Sequence, residues 1–174
     1  MIEGEKVYLR ILEEEDIPRT TSWINDEEIS EIMGYLPVLS VSNQKDWYNS
    51  IKGAKDRFIF AICEKETNEH IGNVGLSNIN FIHRHGMFNV FLKQKNTRSK
   101  GIGTEVTKLL LSFAFNRVNL NKVYLQTSER FIEANKMYLR LGFNKDGVMR
   151  QHYYSNGKYE DKILYSILKE EFVI

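Results

Sequence analysis

A glycine-rich turn set between a strand and a helix restricts what this chain can fold into more than any other feature. The run Arg98, Ser99, Lys100, Gly101, Ile102, Gly103, Thr104, Glu105 follows the apolar stretch Phe88 to Leu92 and precedes Val106, Leu109, Leu110, Phe113 and Ala114. Those last five recur at i, i+3, i+4, i+7 and i+8, which gives the segment one apolar face at helical period. A helix N-terminus exposes N–H groups at the positive end of its dipole, and glycines let an anion come close to the backbone. Arg98 and Lys100 point the same way, because cations at a helix mouth oppose the dipole unless an anion sits there. The turn is therefore suited to a pyrophosphate. A Walker A loop would need Gly-Lys-Ser/Thr, and the dinucleotide fingerprint would need glycine or alanine where this chain has Val106, so neither motif applies.

The rest of the chain supplies strands and helices around that turn. Val7, Leu9 and Ile11 alternate with polar neighbours as a half-buried strand does, and Asp16 before Ile17 and Pro18 predicts a helix start leading to Trp23 and Ile24. A second short helix bearing Trp47, Tyr48 and Ile51 is expected after Ser42, ended by Gly53. From Arg57 to Leu92 the pattern predicts three antiparallel strands, with turns at Thr67 to Glu69 and at His83 to Gly86. Val123 to Leu125 reads as a short strand, and Ala134, Met137, Tyr138 and Leu141 read as a helix stopped by Gly142. Two final strands, about residues 143 to 154 and 158 to 168, flank the hairpin signal Asn156-Gly157. The expected fold class is α+β: a mixed, mostly antiparallel twisted sheet of about seven strands flanked by about four helices.

Composition narrows the function. The 174 residues, 42% of them hydrophobic, suffice to bury a core, and with no repeat or linker-like tract one domain spanning residues 1 to 174 is expected. Twenty-four basic against 23 acidic residues leave a net charge of +1, so there is no electrostatic case for nucleic acid or an anionic membrane. Cys63 has no internal partner and sits in the apolar run Phe58 to Ile62, as a packed thiol would. No segment approaches the ~18 to 20 apolar residues of a membrane span. A cytoplasmic protein is expected. His83 and His85 lack the cysteine or carboxylate neighbours of a zinc site, so no metal is expected.

Three blocks of residues together carry a resemblance. Arg98 to Gly103 matches Gln/Arg-x-x-Gly-x-Gly/Ala; Ala134, Tyr138, Leu141, Gly142 and Phe143 match Ala-x-x-x-Tyr-x-x-Leu-Gly-Phe. Asp146 to Arg150 with Asn156, Gly157, Lys158, Tyr159, Asp161 and Tyr165 form a closing hairpin. Over nearly its whole length the chain resembles the GNAT family of N-acetyltransferases, in particular the ribosomal-protein-acetylating and polyamine-acetylating branches. The resemblance implies direct transfer of an acetyl group from acetyl-CoA to a primary amine, with no covalent enzyme intermediate. It places the pantetheine arm on the backbone of Val90, Phe91 and Leu92. The diphosphate falls on Arg98, Ser99, Lys100, Gly101, Ile102, Gly103 and Thr104. Relatives often carry an asparagine where this chain has Phe131, and Asn135 is the nearby residue able to make a different coenzyme contact. The resemblance also brings a homodimer into view, although the sequence shows no oligomer patch.

Tyr138 is the expected general acid for the departing thiolate. With ordinary values near 10 for the phenol and 8.5 for a thiol, the transfer is uphill by only about 2 kcal/mol. A backbone N–H at Val90 or its neighbour is the natural oxyanion donor. No carboxylate stands on the strand of residues 86 to 92, where Asn89 occupies the middle, and Asp26, Glu27 and Glu28 are the candidates for a base. Acceptor choice is expected in residues 23 to 52, where Tyr35, Pro37, Trp47 and Tyr48 either line a pocket or pack the helix onto the sheet. The favoured acceptor is a small amine such as an amino sugar. The alternatives are a protein N-terminus, a polyamine, or a coenzyme A-binding sensor or scaffold without turnover.

Overall fold

The computed structural model describes residues 1–34, 38–93, 101–155 and 157–173. Eight strands form among them: β1 (Ile2–Glu3), β2 (Val7–Ile11), β3 (Phe58–Glu64), β4 (His70–Asn80), β5 (His85–Leu92), β6 (Lys122–Ser128), β7 (Asn144–Ser155) and β8 (Lys158–Leu168). Five α-helices accompany them: α1 (Ile17–Ile24), α2 (Glu27–Met33), α3 (Val41–Ile51), α4 (Ile102–Ser112) and α5 (Ile132–Arg140). The strand order β1-β2-β3-β4-β5-β6-β8-β7 makes a mixed sheet. The α+β class is as expected, with one strand and one helix more than the sequence pattern suggests. The extra strand is β1, two residues whose register with Leu9 and Tyr8 no periodicity could reveal. The extra helix arises where the first helix breaks at Asn25 and Asp26. The Asp26 side chain accepts from the N–H groups of Glu28 and Ile29 at 3.1 and 3.3 Å and starts α2 afresh.

Two compact units divide the chain, Met1–Gly75 with Val90–Val106, and Leu76–Asn89 with Thr107–Ile174. In the first, β2 pairs antiparallel with β3 from Val7↔Glu64 to Ile11↔Phe60. Leu12, Ile17, Ala61 and Cys63 form a buried cluster, against which Tyr8, Trp47, Tyr48 and Ile59 pack. Trp47 and Tyr48 are thus packing residues. Tyr35 and Pro37 lie outside the described residues.

Asp16 does not cap α1 through its side chain. Its carboxylate is buried and accepts two bonds from the Arg10 guanidinium, at 2.6 and 2.8 Å, and one from the Glu13 N–H at 3.0 Å. Burial alone would raise its pKa, but Arg10 and the Glu13 amide outweigh that and hold it at about 2. His70, buried beside it, turns Nε2 toward Gly72 O at 3.0 Å and Asn73 Oδ1 at 2.8 Å. A carbonyl cannot donate, so Nε2 carries the hydrogen, and burial pushes the imidazole pKa down.

In the second unit β6 pairs antiparallel with β8 from Lys122↔Leu168 to Ser128↔Lys162, and β7 with β8. Strand β5 pairs parallel with β6 from His85↔Lys122 to Met87↔Tyr124. Val123, Leu125, Phe143, Ile163, Tyr165 and Ile167 fill its core together with Leu110, Leu111, Ala114 and Phe115 of the α4 region. Gly142, with φ 92, ends α5 as its position in the sequence predicts, and Gly157, with φ 80, follows β7. Asn156 lies outside the described residues.

These titrations predict how stability follows pH. Asp16 is ionised in the folded state below the ordinary carboxylate range, so its contribution is complete above about pH 4 and is lost as pH falls toward 2. A depressed His70 contributes above about 6.5, and that share declines as pH drops below this value. Denaturant unfolding across pH should show both losses on acidification. Asp16→Asn should lower stability by about 2 kcal/mol at pH 7 and remove the lower step.

Candidate active site

The turn and the end of the strand before it, Val90 to Leu92, belong to the first unit. Ile102 opens α4 and is buried, and Gly101 before it holds φ 76, a left-handed conformation that favours glycine. Glu105 N–H donates to Gly101 O at 3.1 Å, closing the first turn of the helix. The Glu105 carboxylate then accepts from the N–H groups of Lys6 and Val7, at 2.9 and 3.3 Å. That clamp ties the mouth of α4 to the start of β2 and brings Lys6 beside the turn. A methyl group on Gly101 would lie 3.7 Å from Lys6 Nζ and meet nothing closer. Ile102, Gly103 and Thr104 supply first-turn amides, which in any α-helix point out along its axis. A left-handed glycine, outward amides and a nearby ammonium make a cradle that fits a diphosphate. Arg98, Ser99 and Lys100 lie outside the described residues.

On β5, Phe91 and Leu92 are buried and Val90 is half-buried. The Phe91 ring joins Ile24 and Ile29 in a cluster with Trp23, Met33 and Leu39, so only its backbone is left for a ligand. Gly72 of β4 lies close against this stretch: a Cβ there would fall 2.3 Å from Phe91 O and 3.0 Å from Leu92 Cα. Lys93 N–H also donates to Ile71 O at 2.9 Å. The backbone of residues 91 to 93 is held from one side by a neighbour that must be glycine.

Tyr138 and Asn135 belong to the second unit. Tyr138 on α5 is 7% exposed, its ring 6.2 Å from Phe88, 5.5 Å from Phe143 and 6.3 Å from Tyr165. Burial pushes the phenol pKa well up, so the hydroxyl keeps its proton throughout the neutral range. Asn135 donates to Ser128 O at 2.9 Å and Phe131 O at 2.8 Å, spending both amide hydrogens on the start of α5. Its Oδ1 is buried and makes no hydrogen bond among the described residues. Phe131 stands at the N-cap without a side-chain cap, and its ring lies 4.8 Å beneath the Arg130 guanidinium.

Of the carboxylates considered as a base, Asp26 is committed to capping α2. The rings of His83 and His85 stack at 6.3 Å and 7° rather than converging on a common point. Sequence reasoning did not find Glu105 or Lys6 as parts of the site. An acidic residue in a first helical turn looks like ordinary dipole compensation, and its partner lies 99 residues away.

Known proteins resemble this arrangement end to end. The acetyltransferase (GNAT) domain family matches residues 6–144. The chain is 26% identical over 174 residues to the spermidine N(1)-acetyltransferase of Escherichia coli K12, covering 99% of this chain and 91% of that one. It is 28% identical over 173 residues to the uncharacterized N-acetyltransferase p20 of Bacillus licheniformis, covering 97% and 96%. Among solved structures, spermidine N-acetyltransferase from Vibrio cholerae in complex with CoA and spermine superposes with a TM-score of 0.91. Its identity is 25%, and the match covers 97% of this chain and 98% of that one.

The glycines generate two predictions. Gly72→Ala should cost about 2 kcal/mol in denaturant unfolding, because its Cβ meets backbone that cannot swing aside. Gly101→Val should cost about 1 kcal/mol, for the left-handed backbone alone. Combined with Gly103→Val, it should weaken coenzyme A binding at least tenfold in calorimetric titration, by crowding the helix mouth.

Proposed function

The chain belongs to the GNAT acetyltransferase family and is an N-acetyltransferase, and from that premise we propose that its acceptor is a polyamine of the spermidine class, acetylated by acetyl-CoA. One observation carries the choice. Spermidine acetyltransferases match this chain over almost its full length in sequence and over the whole fold in structure. That favours a polyamine over an amino sugar as acceptor. The exposed carboxylate of Glu27 on α2 suits a polycation. We read residues 1 to 174 as one acetyltransferase domain working in the cytoplasm. Among the described residues no helix is long and apolar enough to cross a membrane.

When bound, acetyl-CoA supplies an acetyl group activated as a thioester. The amides of Ile102 to Thr104 and Gly101 would grip the diphosphate at the mouth of α4, and the sequence offers Arg98, Ser99 and Lys100 as further partners for it. The backbone of Val90, Phe91 and Leu92 would hold the pantetheine arm, and a backbone N–H at Val90 or its neighbour would donate to the carbonyl oxygen as negative charge develops there. Asn135 would make the coenzyme contact that relatives make through the asparagine replaced here by Phe131. Tyr138 gives its proton to the departing sulfur. Each pKa unit that burial adds makes that transfer about 1.4 kcal/mol harder, so the proton moves as the sulfur takes on charge rather than before.

The amine must arrive neutral. With an ordinary pKa near 10, its free-base fraction grows tenfold per pH unit below that value. kcat/KM for spermidine should therefore rise about tenfold per unit from pH 6 to 8. A falling limb from Tyr138 should be absent in this range, since the phenol stays protonated. Tyr138→Phe should lower kcat at least a hundredfold and leave the coenzyme A Kd within twofold. The deciding assay follows thiol release with spermidine, spermine, amino-sugar nucleotides and N-terminal peptides. A tenfold preference for a sugar or peptide acceptor would displace the polyamine reading. Tight coenzyme binding without transfer to any of them would make the protein a sensor or scaffold.

A further inference from the structure

We propose that Asn89, braced by Ser77, orients the incoming amine by accepting one of its N–H hydrogens. The inference rests on the acetyltransferase reading above, with the thioester carbonyl beside Val90. Asn89 is the one polar side chain in the run Gly86, Met87, Phe88, Asn89, Val90, Phe91, Leu92. Asparagine is depleted in strands, so it needs a reason to be there. Asn78 of β4 has one in its backbone, with φ of 51. Asn89 is not among the residues of positive φ, and its reason lies in its side chain.

That side chain is held in one orientation. Nδ2 donates to Ser77 Oγ at 2.9 Å and to Met87 O at 3.4 Å. A backbone carbonyl can only accept, so the nitrogen end is fixed by its surroundings and the oxygen end faces away. Among the described residues Oδ1 makes no hydrogen bond, and the residue is only half-buried. The result is a pre-aimed acceptor on a half-buried side chain. Neighbouring side chains on a strand point to opposite faces. Phe88 turns its ring to Tyr138, which puts Asn89 on the face away from the proposed proton donor.

This arrangement suits aminolysis. The nitrogen lone pair forms the bond to the acetyl carbon, so its hydrogens must point elsewhere, and Oδ1 takes one. As the carbon–nitrogen bond forms and the carbon–sulfur bond breaks, the surplus proton on nitrogen leaves to solvent water, and the sulfur receives the Tyr138 proton. A carboxylate at this place would favour the charged ammonium, which cannot attack. A carboxamide orients the amine without holding it in that form.

The test compares wild type with Asn89→Ala and Ser77→Ala, using the best amine of the panel. Asn89→Ala should lower kcat/KM for the amine at least tenfold, mainly through a higher amine KM. The acetyl-CoA KM, coenzyme A Kd and melting temperature should stay close to wild type. Ser77→Ala, which loosens the brace and keeps the acceptor, should show a smaller loss on the amine alone. An Asn89→Ala enzyme within twofold of wild type overturns the inference. So does a loss shared equally by amine and acetyl-CoA, or one that tracks a lower melting temperature. A wild-type protein that binds coenzyme A and acetylates no amine overturns the functional reading itself, and the role of Asn89 with it.

Discussion

The parallel pairing of β5 with β6 is the constraint from which the site follows. Antiparallel strands can be joined by two residues, but a parallel pair needs a crossover that carries the chain back to the same end. Here the path from Leu92 to Lys122 makes that return through α4. Such a crossover leaves from the end at which the first strand stops, and α4 is the helix that follows β5 in the chain. Gly101 in its left-handed conformation and the first-turn amides of Ile102 to Thr104 are consequences of that turn. The Glu105 clamp on the N–H groups of Lys6 and Val7 then holds the helix mouth against β2.

Much of this architecture was legible in the sequence, because periodicity reports burial. The apolar face of α4, the stop at Gly142 and the long β7–β8 hairpin all lie where spacing predicts. Polar residues were read less well, since their role depends on partners that register brings from far along the chain. Asp16 looks like a helix cap and is instead the buried partner of Arg10. Asp26 looks like a base and is the cap. Trp47 and Tyr48 suit a pocket as well as a core by type alone, and their packing against Leu12, Ile17, Ala61 and Cys63 needs the fold to be seen. Asn135, the proposed coenzyme contact, also spends its Nδ2 on the carbonyls of Ser128 and Phe131 that open α5, a commitment its residue type does not reveal.

Tyr138 shows how burial helps and hinders one residue at once. Packing among Phe88, Phe143 and Tyr165 fixes the ring and keeps the phenol protonated. The same burial makes the phenol a weaker acid, so the estimate made from ordinary pKa values is too generous. A weak acid can still assist a good leaving group. A thiolate needs little help to depart, and a hydrogen bond that strengthens as charge reaches the sulfur lowers the barrier without a free proton transfer beforehand.

The absence of a carboxylate on β5, which in sequence looked like a missing part, has a different meaning beside such an acid. A primary amine near pH 7 is almost wholly protonated, and an anion next to it would deepen that preference. A strand carrying Asn89 where an acid might stand leaves the amine's equilibrium nearly as water sets it, and gives up deprotonating power for orientation. Neither partner of the reaction is then driven by a strong proton donor or acceptor. In the proposed reaction the work falls to positioning, by the Asn89 carboxamide, the Tyr138 phenol and the mouth of α4.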